Sequence, residues 1–232
     1  MRKITYMKIR HHSIFNNLNS DQIDWNKIRN DPDEKQYFIP TQKSEYIKQA
    51  SYSQNFSKEI ISEIMTIIHE FKTKKIFSLG SGKAYLEYGL KLKNITIEIS
   101  DSDDSIDRIK VFNIFDKVHK LSFNEVLPKI QNFKGLILMS RIDTELSDDE
   151  LKEIFNSMAE VKIKYIFFIP AQTLNFKSLF VEMYLRIKSI FCRKKLVFCG
   201  YSRSKNLFSS MWRKHYKSSQ TKYSKSFLLE LK

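Results

Sequence analysis

Lys74-Lys75-Ile76-Phe77-Ser78-Leu79-Gly80-Ser81-Gly82-Lys83-Ala84-Tyr85-Leu86 is the stretch that decides how this chain folds. Ile76, Phe77 and Leu79 make a short apolar run of the kind that forms a buried strand. Gly80 and Gly82 follow, where a backbone without Cβ can turn sharply and leave space beside itself. The residues from Tyr85 onward then read as the start of a helix. A helix opening at a strand end points its first amides at polar or anionic groups. The stretch therefore predicts a nucleotide-like ligand beyond the end of a strand.

The spacing separates two kinds of glycine turn. A dinucleotide turn wants G-x-G-x-x-G, and its third glycine would fall on Tyr85, too bulky for close helix–sheet packing. In a G-x-G-x-G turn the last position falls on Ala84, which is small. Read this way, the stretch resembles motif I of the class I S-adenosylmethionine-dependent methyltransferases. Two positions depart from that pattern. Ser78 stands where the family usually has an acid, and Ala84 stands where it has glycine.

A second feature points the same way. Asn94 to Asp101 alternates Ile95, Ile97 and Ile99, the period of a strand. It ends in Asp101, about 20 residues after the turn, where an acid can accept from both ribose hydroxyls. A plain polar loop explains Ser100 to Asp104 but not an acid at that offset. The resemblance implies Ser78, Gly80, Ser81, Gly82, Asp101, Ser102 and Ser140 as cofactor-binding residues and S-adenosylmethionine as the cofactor. It also implies a polar contact to the adenine amino group near the end of the third strand, where Ser122, Asn124 and Glu125 all stand.

Strands alternate with helices on either side of this core. Val118 to Phe123 reads as a third strand, and the continuous apolar run Gly135 to Ser140 as a central strand buried on both faces. Lys164 to Pro170 reads as a fifth strand. Ser105 to Phe115 has helical spacing. Ser147 to Glu150 is a capping box that opens another helix. After strand five come a helix over Leu174 to Arg193, a helix to Arg213, and two strands, His215 to Thr221 and Ser226 to Leu231. The expected fold is α/β, a Rossmann-like and mostly parallel sheet with helices on both faces, and a C-terminal antiparallel strand pair. Ligands of such sheets sit beyond the strands' carboxyl ends.

N-terminal to the turn, residues 41 to 54 read as a short helix and residues 56 to 71 as a clearer one with an apolar stripe. Residues 1 to about 40 read as polar and irregular, with Trp25, Tyr37 and Phe38 docking onto the rest. The expected organisation is a helical extension or lid over 1–55 and a Rossmann-like methyltransferase domain over 56–232. In the resembled family such N-terminal helices close over the cofactor.

Composition bounds the remaining possibilities. The chain has 232 residues, of which 42% are hydrophobic, enough for a sizeable core. No apolar run approaches the roughly 18–20 residues that span a bilayer, and no secretory signal is visible, so a cytoplasmic location is expected. Cys192 and Cys199 read as idle or buried thiols, and the five histidines lack metal-ligand spacing. No metal site is expected. Net charge is +14, concentrated between Arg193 and Lys232, where eleven Lys or Arg face one acid and the local balance is +10. Such asymmetry suits RNA, an anionic membrane surface or a phosphate-bearing glycan, and equally a solvated basic face.

Methyl transfer asks mainly for proximity and orientation, so no general catalytic signature is expected. Strand four ends in Ser140-Arg141-Ile142-Asp143 rather than the Asn/Asp-Pro-Pro-aromatic motif of amino methyltransferases, and no cysteine stands near for a covalent mechanism. Arg141 and Asp143 can bind the acceptor, act as base, or pair with each other in a loop. Tyr201 and Arg203 can line the acceptor side or form a surface turn. Leu174 to Arg193 reads first as a core-packed helix, with a membrane-surface helix as the alternative because cations are interleaved with bulky apolar residues. Three functions fit: an S-adenosylmethionine-dependent O-methyltransferase acting on a small-molecule, sugar or glycan hydroxyl; an RNA methyltransferase using the basic C-terminal region; and a non-catalytic binding protein that kept the fold.

Overall fold

A computed structural model of the chain describes residues 6–11, 21–22, 25–33, 37–144, 146–192, 195–222 and 224–232. Its centre is a seven-stranded sheet. The strands are β3 (Lys75–Leu79), β4 (Thr96–Asp101), β5 (Lys117–Lys120), β6 (Leu136–Ser140), β7 (Tyr165–Ile169), β9 (Tyr216–Gln220) and β10 (Phe227–Leu231). Their spatial order is β5-β4-β3-β6-β7-β10-β9. All neighbouring pairs are parallel except those of β10, which runs antiparallel to both β7 and β9. The chain builds outward from β3 to β5, then returns to place β6 on the other side of β3. The switch point therefore lies between β3 and β6, where a ligand crevice opens.

The alternation of side chains divides the core into two layers. Ile76, Ile97, Leu136, Leu138 and Phe167 face one layer, with Ile64 and Ile68 of the helix α2 (Lys43–Glu70). Phe77, Leu79, Ile137, Met139 and Phe168 face the other. That second layer is closed by α5 (Phe123–Ile130), α6 (Asp148–Glu160) and α8 (Lys205–Trp212), with Phe155, Phe208 and Trp212 meeting Phe168 edge to face. Helices α3 (Tyr85–Lys91) and α4 (Ile106–Val111) lie with α2. The expected Rossmann-like α/β sheet with helices on both faces is what the chain forms.

Several expectations need correction. The two N-terminal helices are one, α2, 28 residues long. No Pro or Gly interrupts 43–70, and its central Gln54 is bonded to Ala50 and Tyr85 carbonyls rather than ending a helix. This helix runs through the boundary expected at residue 55. The third strand is shorter than expected, and Ser122 and Glu125 form a capping box that opens α5, an unexpected helix. The helix expected to reach Phe115 ends at Val111.

The largest departure is a second, three-stranded parallel sheet. β8 (Lys195–Tyr201) lies between β1 (Tyr6–His11) and β2 (Asp21–Gln22). The N-terminal region is thus part strand, with a short helix α1 (Trp25–Asn30) following. α7 (Phe176–Phe191) precedes β8 and is not the core-packed helix expected: its bulky apolar residues face outward. Cys192, at its end, is exposed rather than buried.

Candidate functional site

The glycine turn is built by alternating left-handed residues. Gly80 (φ +61°), Gly82 (φ +55°) and Ala84 (φ +51°) occupy that region, with Ser81 and Lys83 between them. At Gly80 a second constraint acts, since a Cβ would stand 2.4 Å from Cγ2 of Ile142, in the 3₁₀ turn after β6. Ala84 takes the third glycine's place at some backbone strain, about 1–2 kcal/mol for an L-residue.

Neighbouring strands and α2 hold the turn. Ser81 N donates to Ser100 O at 3.0 Å, and Gly82 N donates to Asp101 Oδ2 at 2.7 Å. From α2, the buried Tyr46 hydroxyl donates to Lys83 O at 2.8 Å, and Gln54 donates to Tyr85 O at 2.8 Å. α2 thus braces the turn through Tyr46 and Gln54.

Asp101 is almost buried, and its Oδ1 accepts from Asp103 N at 3.0 Å. Arg29, from α1, reaches over the turn. Its Nη1 lies 3.5 Å from Asp101 Oδ1 and 3.2 Å from Asp103 Oδ2. Nothing in the linear order of residues connects Arg29 to this acid.

Ser78 lies beneath the turn rather than on the cleft wall. It is fully buried and donates from Oγ to Glu87 Oε1 at 2.6 Å. Glu87, on α3, is 2% exposed, and burial raises its carboxyl to about 7. An acid absent at position 78 is therefore supplied to the same spot by a residue nine positions on. The signal was an acid in the first turn of the following helix. In the turn itself, burial lowers the Lys83 ammonium to about 8, and its Nζ sits 4.6 Å from the centre of the Tyr85 ring.

These elements border a cleft of about 1420 Å³. Gly80, Ser81, Gly82, Asp101, Ser102 and Ser140 all line it. Leu121 and Phe123, on either side of Ser122, give the cleft an apolar wall after β5. Of the three residues open for an adenine contact, Ser122 alone lines the cleft, and Glu125 is held by the capping box.

Beyond β6 the candidates separate. Arg141 is exposed and borders the cleft. Asp143 is fully buried, accepts from Ala171 N at 2.9 Å, and does not line the cleft. Arg203 is also buried, and it is a brace: its Nε donates to Asp148 Oδ1 at 2.6 Å and its two other nitrogens to the carbonyls of Asp143 and Leu146. The acceptor-side reading of Arg203 therefore gives way to a structural one. Of the basic C-terminal region, β9, with Lys217, is four strands from β3, about 19 Å away at the usual strand spacing. Lysine on an edge strand also deters edge-to-edge pairing. Among the described residues, no three metal-ligating side chains cluster.

No protein-family profile and no curated protein matches the chain. Solved structures do. Human N-acetylserotonin methyltransferase, in complex with S-adenosylmethionine, is 10% identical, with a TM-score of 0.52 over 82% of this chain and 56% of that one. The S-adenosylmethionine-dependent methyltransferase SibL, in its apo form, is 9% identical, with a TM-score of 0.52 over 93% of this chain and 63% of that one. The chain has the class I S-adenosylmethionine-dependent methyltransferase fold. A third structure with this methyltransferase fold, mitomycin 7-O-methyltransferase, is 11% identical, with a TM-score of 0.50 and coverage of 90% and 60%. The chain thus spans 56%, 63% and 60% of the lengths of these three proteins.

Proposed function

We propose that this chain is an S-adenosylmethionine-dependent methyltransferase acting on a hydroxyl of a small molecule, sugar or glycan. The observation that carries the reading is the convergence of Gly80–Gly82, Ser81 and Asp101 at the switch point of a methyltransferase sheet. The residues present fit the cofactor. Ser81 Oγ is buried at the cleft wall without a hydrogen-bond partner among the described residues, a position suited to a ligand's polar group. Asp101 offers carboxylate oxygens for ribose hydroxyls, and Leu121 and Phe123 offer an apolar slot for a base.

S-adenosylmethionine, when bound, supplies a methyl group already activated by its sulfonium. The protein's part is to hold donor and acceptor close and aligned, which lowers the barrier without a dedicated catalytic group. A cleft larger than the roughly 300–1,000 Å³ of single-ligand sites has room for both. Arg141, at the rim, is placed to meet a polar acceptor, and Tyr52 and Phe56 of α2 add aromatic surface to the same cleft. The hydroxyl reading is supported by the absence of the amino-methyltransferase motif after β6 and by the mitomycin 7-O-methyltransferase likeness.

The test is transfer of a labelled methyl group from S-adenosylmethionine to a panel of phenols, sugars and glycans, with RNA alongside. Label appearing on a hydroxyl acceptor supports the reading. Label on RNA alone would replace it with the RNA reading, and cofactor binding that is absent would leave the non-catalytic one.

A further inference from the structure

We propose that α7 is an in-plane docking helix for an anionic membrane surface. A helix on a globular protein ordinarily turns its apolar stripe toward the core. In α7 the orientation is reversed. Phe176, Phe180, Met183, Tyr184, Ile187 and Phe191 follow the helical period along one face and are 44% to 83% exposed. The opposite face carries Glu182 and Ser189, both buried, and Arg186, whose Nε donates to Glu182 Oε1 at 3.1 Å. The two buried side chains of this helix are polar, and most of its large apolar ones are exposed.

The charge around this stripe says what covers it. Glu182 is the helix's one acid, and it is buried and paired. The outward surface therefore holds no carboxylate. It holds Lys177, exposed, and Lys188, whose Nζ lies 5.4 Å from the centre of the Tyr184 ring. Aromatic and aliphatic residues flanked by cations are the composition of helices that lie in a lipid interface. A second copy of the chain would bring the same excess of positive charge, +14, and no acid on this face to meet it. Among the described residues, no helix is long and apolar enough to cross a membrane, so the expected mode is lying on the surface. At 16 residues α7 is about 24 Å long, enough to bury several anchors at the headgroup level.

Location links this surface to the cleft. Ala171 lines the cleft, and the chain enters α7 five residues later. Leu174 N donates to Arg203 O at 2.8 Å, fixing that junction to the buried arginine. Gly200 of β8 approaches Thr144, another cleft residue, so closely that a Cβ would fall 2.4 Å from its side chain. Docking through α7 thus brings the cleft's rim near the lipid headgroups. The docking itself does not depend on the methyltransferase reading.

The test is co-sedimentation of the full chain with vesicles of phosphatidylcholine alone and of phosphatidylcholine with an equimolar amount of phosphatidylglycerol. The expected result is binding to the anionic vesicles only, weakening as salt rises to about 0.15 M, where charges are screened beyond roughly 8 Å. Phe180→Ser combined with Tyr184→Ser and Ile187→Ser should reduce it at least about tenfold, with the fold retained because these side chains are exposed. Lys177→Gln alone should weaken binding without touching the apolar stripe. Failure of the unmodified chain to bind anionic vesicles at low salt, equal binding to neutral vesicles, or unchanged binding by the triple variant would each overturn the proposal. So would a concentration-dependent dimer that the triple variant abolishes, which would assign the face to a second copy.

Discussion

Gly82 donates its backbone N–H to Asp101 Oδ2 at 2.7 Å, tying the turn after β3 to the acid at the end of β4. Asp101 ends β4, and Gly82 lies in the turn after the adjacent parallel strand β3; the two strands are in register from Lys75–Thr96 to Leu79–Ser100. A charge-assisted bond of this kind fixes the carboxylate's orientation, and it does so without a side chain on the turn that would fill the cleft. Arg29 then covers Oδ1, the other oxygen, from outside.

In the proposed cofactor site a ribose hydroxyl would have to share that oxygen with Arg29. Arg29→Met is expected to tighten binding of S-adenosylhomocysteine several-fold, up to about tenfold, the scale of a partly exposed ion pair. Titration of both proteins at low ionic strength checks it. Weaker binding by the variant would make Arg29 a ligand contact instead of a competitor.

Glu87 has a pH signature. Its folded carboxyl sits at about 7, raised from 4.5 by burial. The unfolded chain loses this proton first, so Glu87 favours the folded state below about 4.5 and withdraws that stability as pH rises to about 7. The loss across that window is on the order of 3 kcal/mol. Glu87→Gln keeps an oxygen for Ser78 and cannot ionise. Relative to the unmodified protein, it should gain stability between pH 5 and pH 8 in denaturant unfolding. A difference that is flat across the window would contradict this.

Arg203 is expected to matter for stability and not for binding. Arg203→Met leaves the carbonyls of Asp143 and Leu146 without their buried donor. The expected cost is about 3 kcal/mol, which lowers Tm by roughly 6–12 °C in a chain of this size. Affinity for S-adenosylhomocysteine should be unchanged where the variant is folded. A lost affinity with an unchanged Tm would return Arg203 to the acceptor side.

The centre of the sheet was legible because β3, β6 and β7 are short apolar runs bounded by turn signals. Asp101 was legible because its distance from the turn is set by one helix and one strand. Other features depend on where elements meet, which periodicity does not carry. The stripe of α7 is plain in the residues, but period alone does not say whether it turns toward the core or away. β8 could not be told from the basic tail around it, since its partners β1 and β2 lie more than 170 residues earlier. The link from Ser78 to Glu87 was hidden for a similar reason. The turn between them doubles the chain back, and only then does the helix acid stand over the strand serine. The long α2 was read as two helices parting at Asn55, whereas no Pro or Gly interrupts it and Gln54, next to that point, is held to the turn by its bond to Tyr85 O.

The measurement that bears most directly on the cofactor site is calorimetric titration with S-adenosylhomocysteine of the unmodified chain and of Asp101→Ala, with NAD as the control. The account predicts micromolar binding by the unmodified chain, at least about tenfold weaker binding by the variant, and none of NAD by either. No binding by the unmodified chain, or equal binding by both proteins, would contradict it.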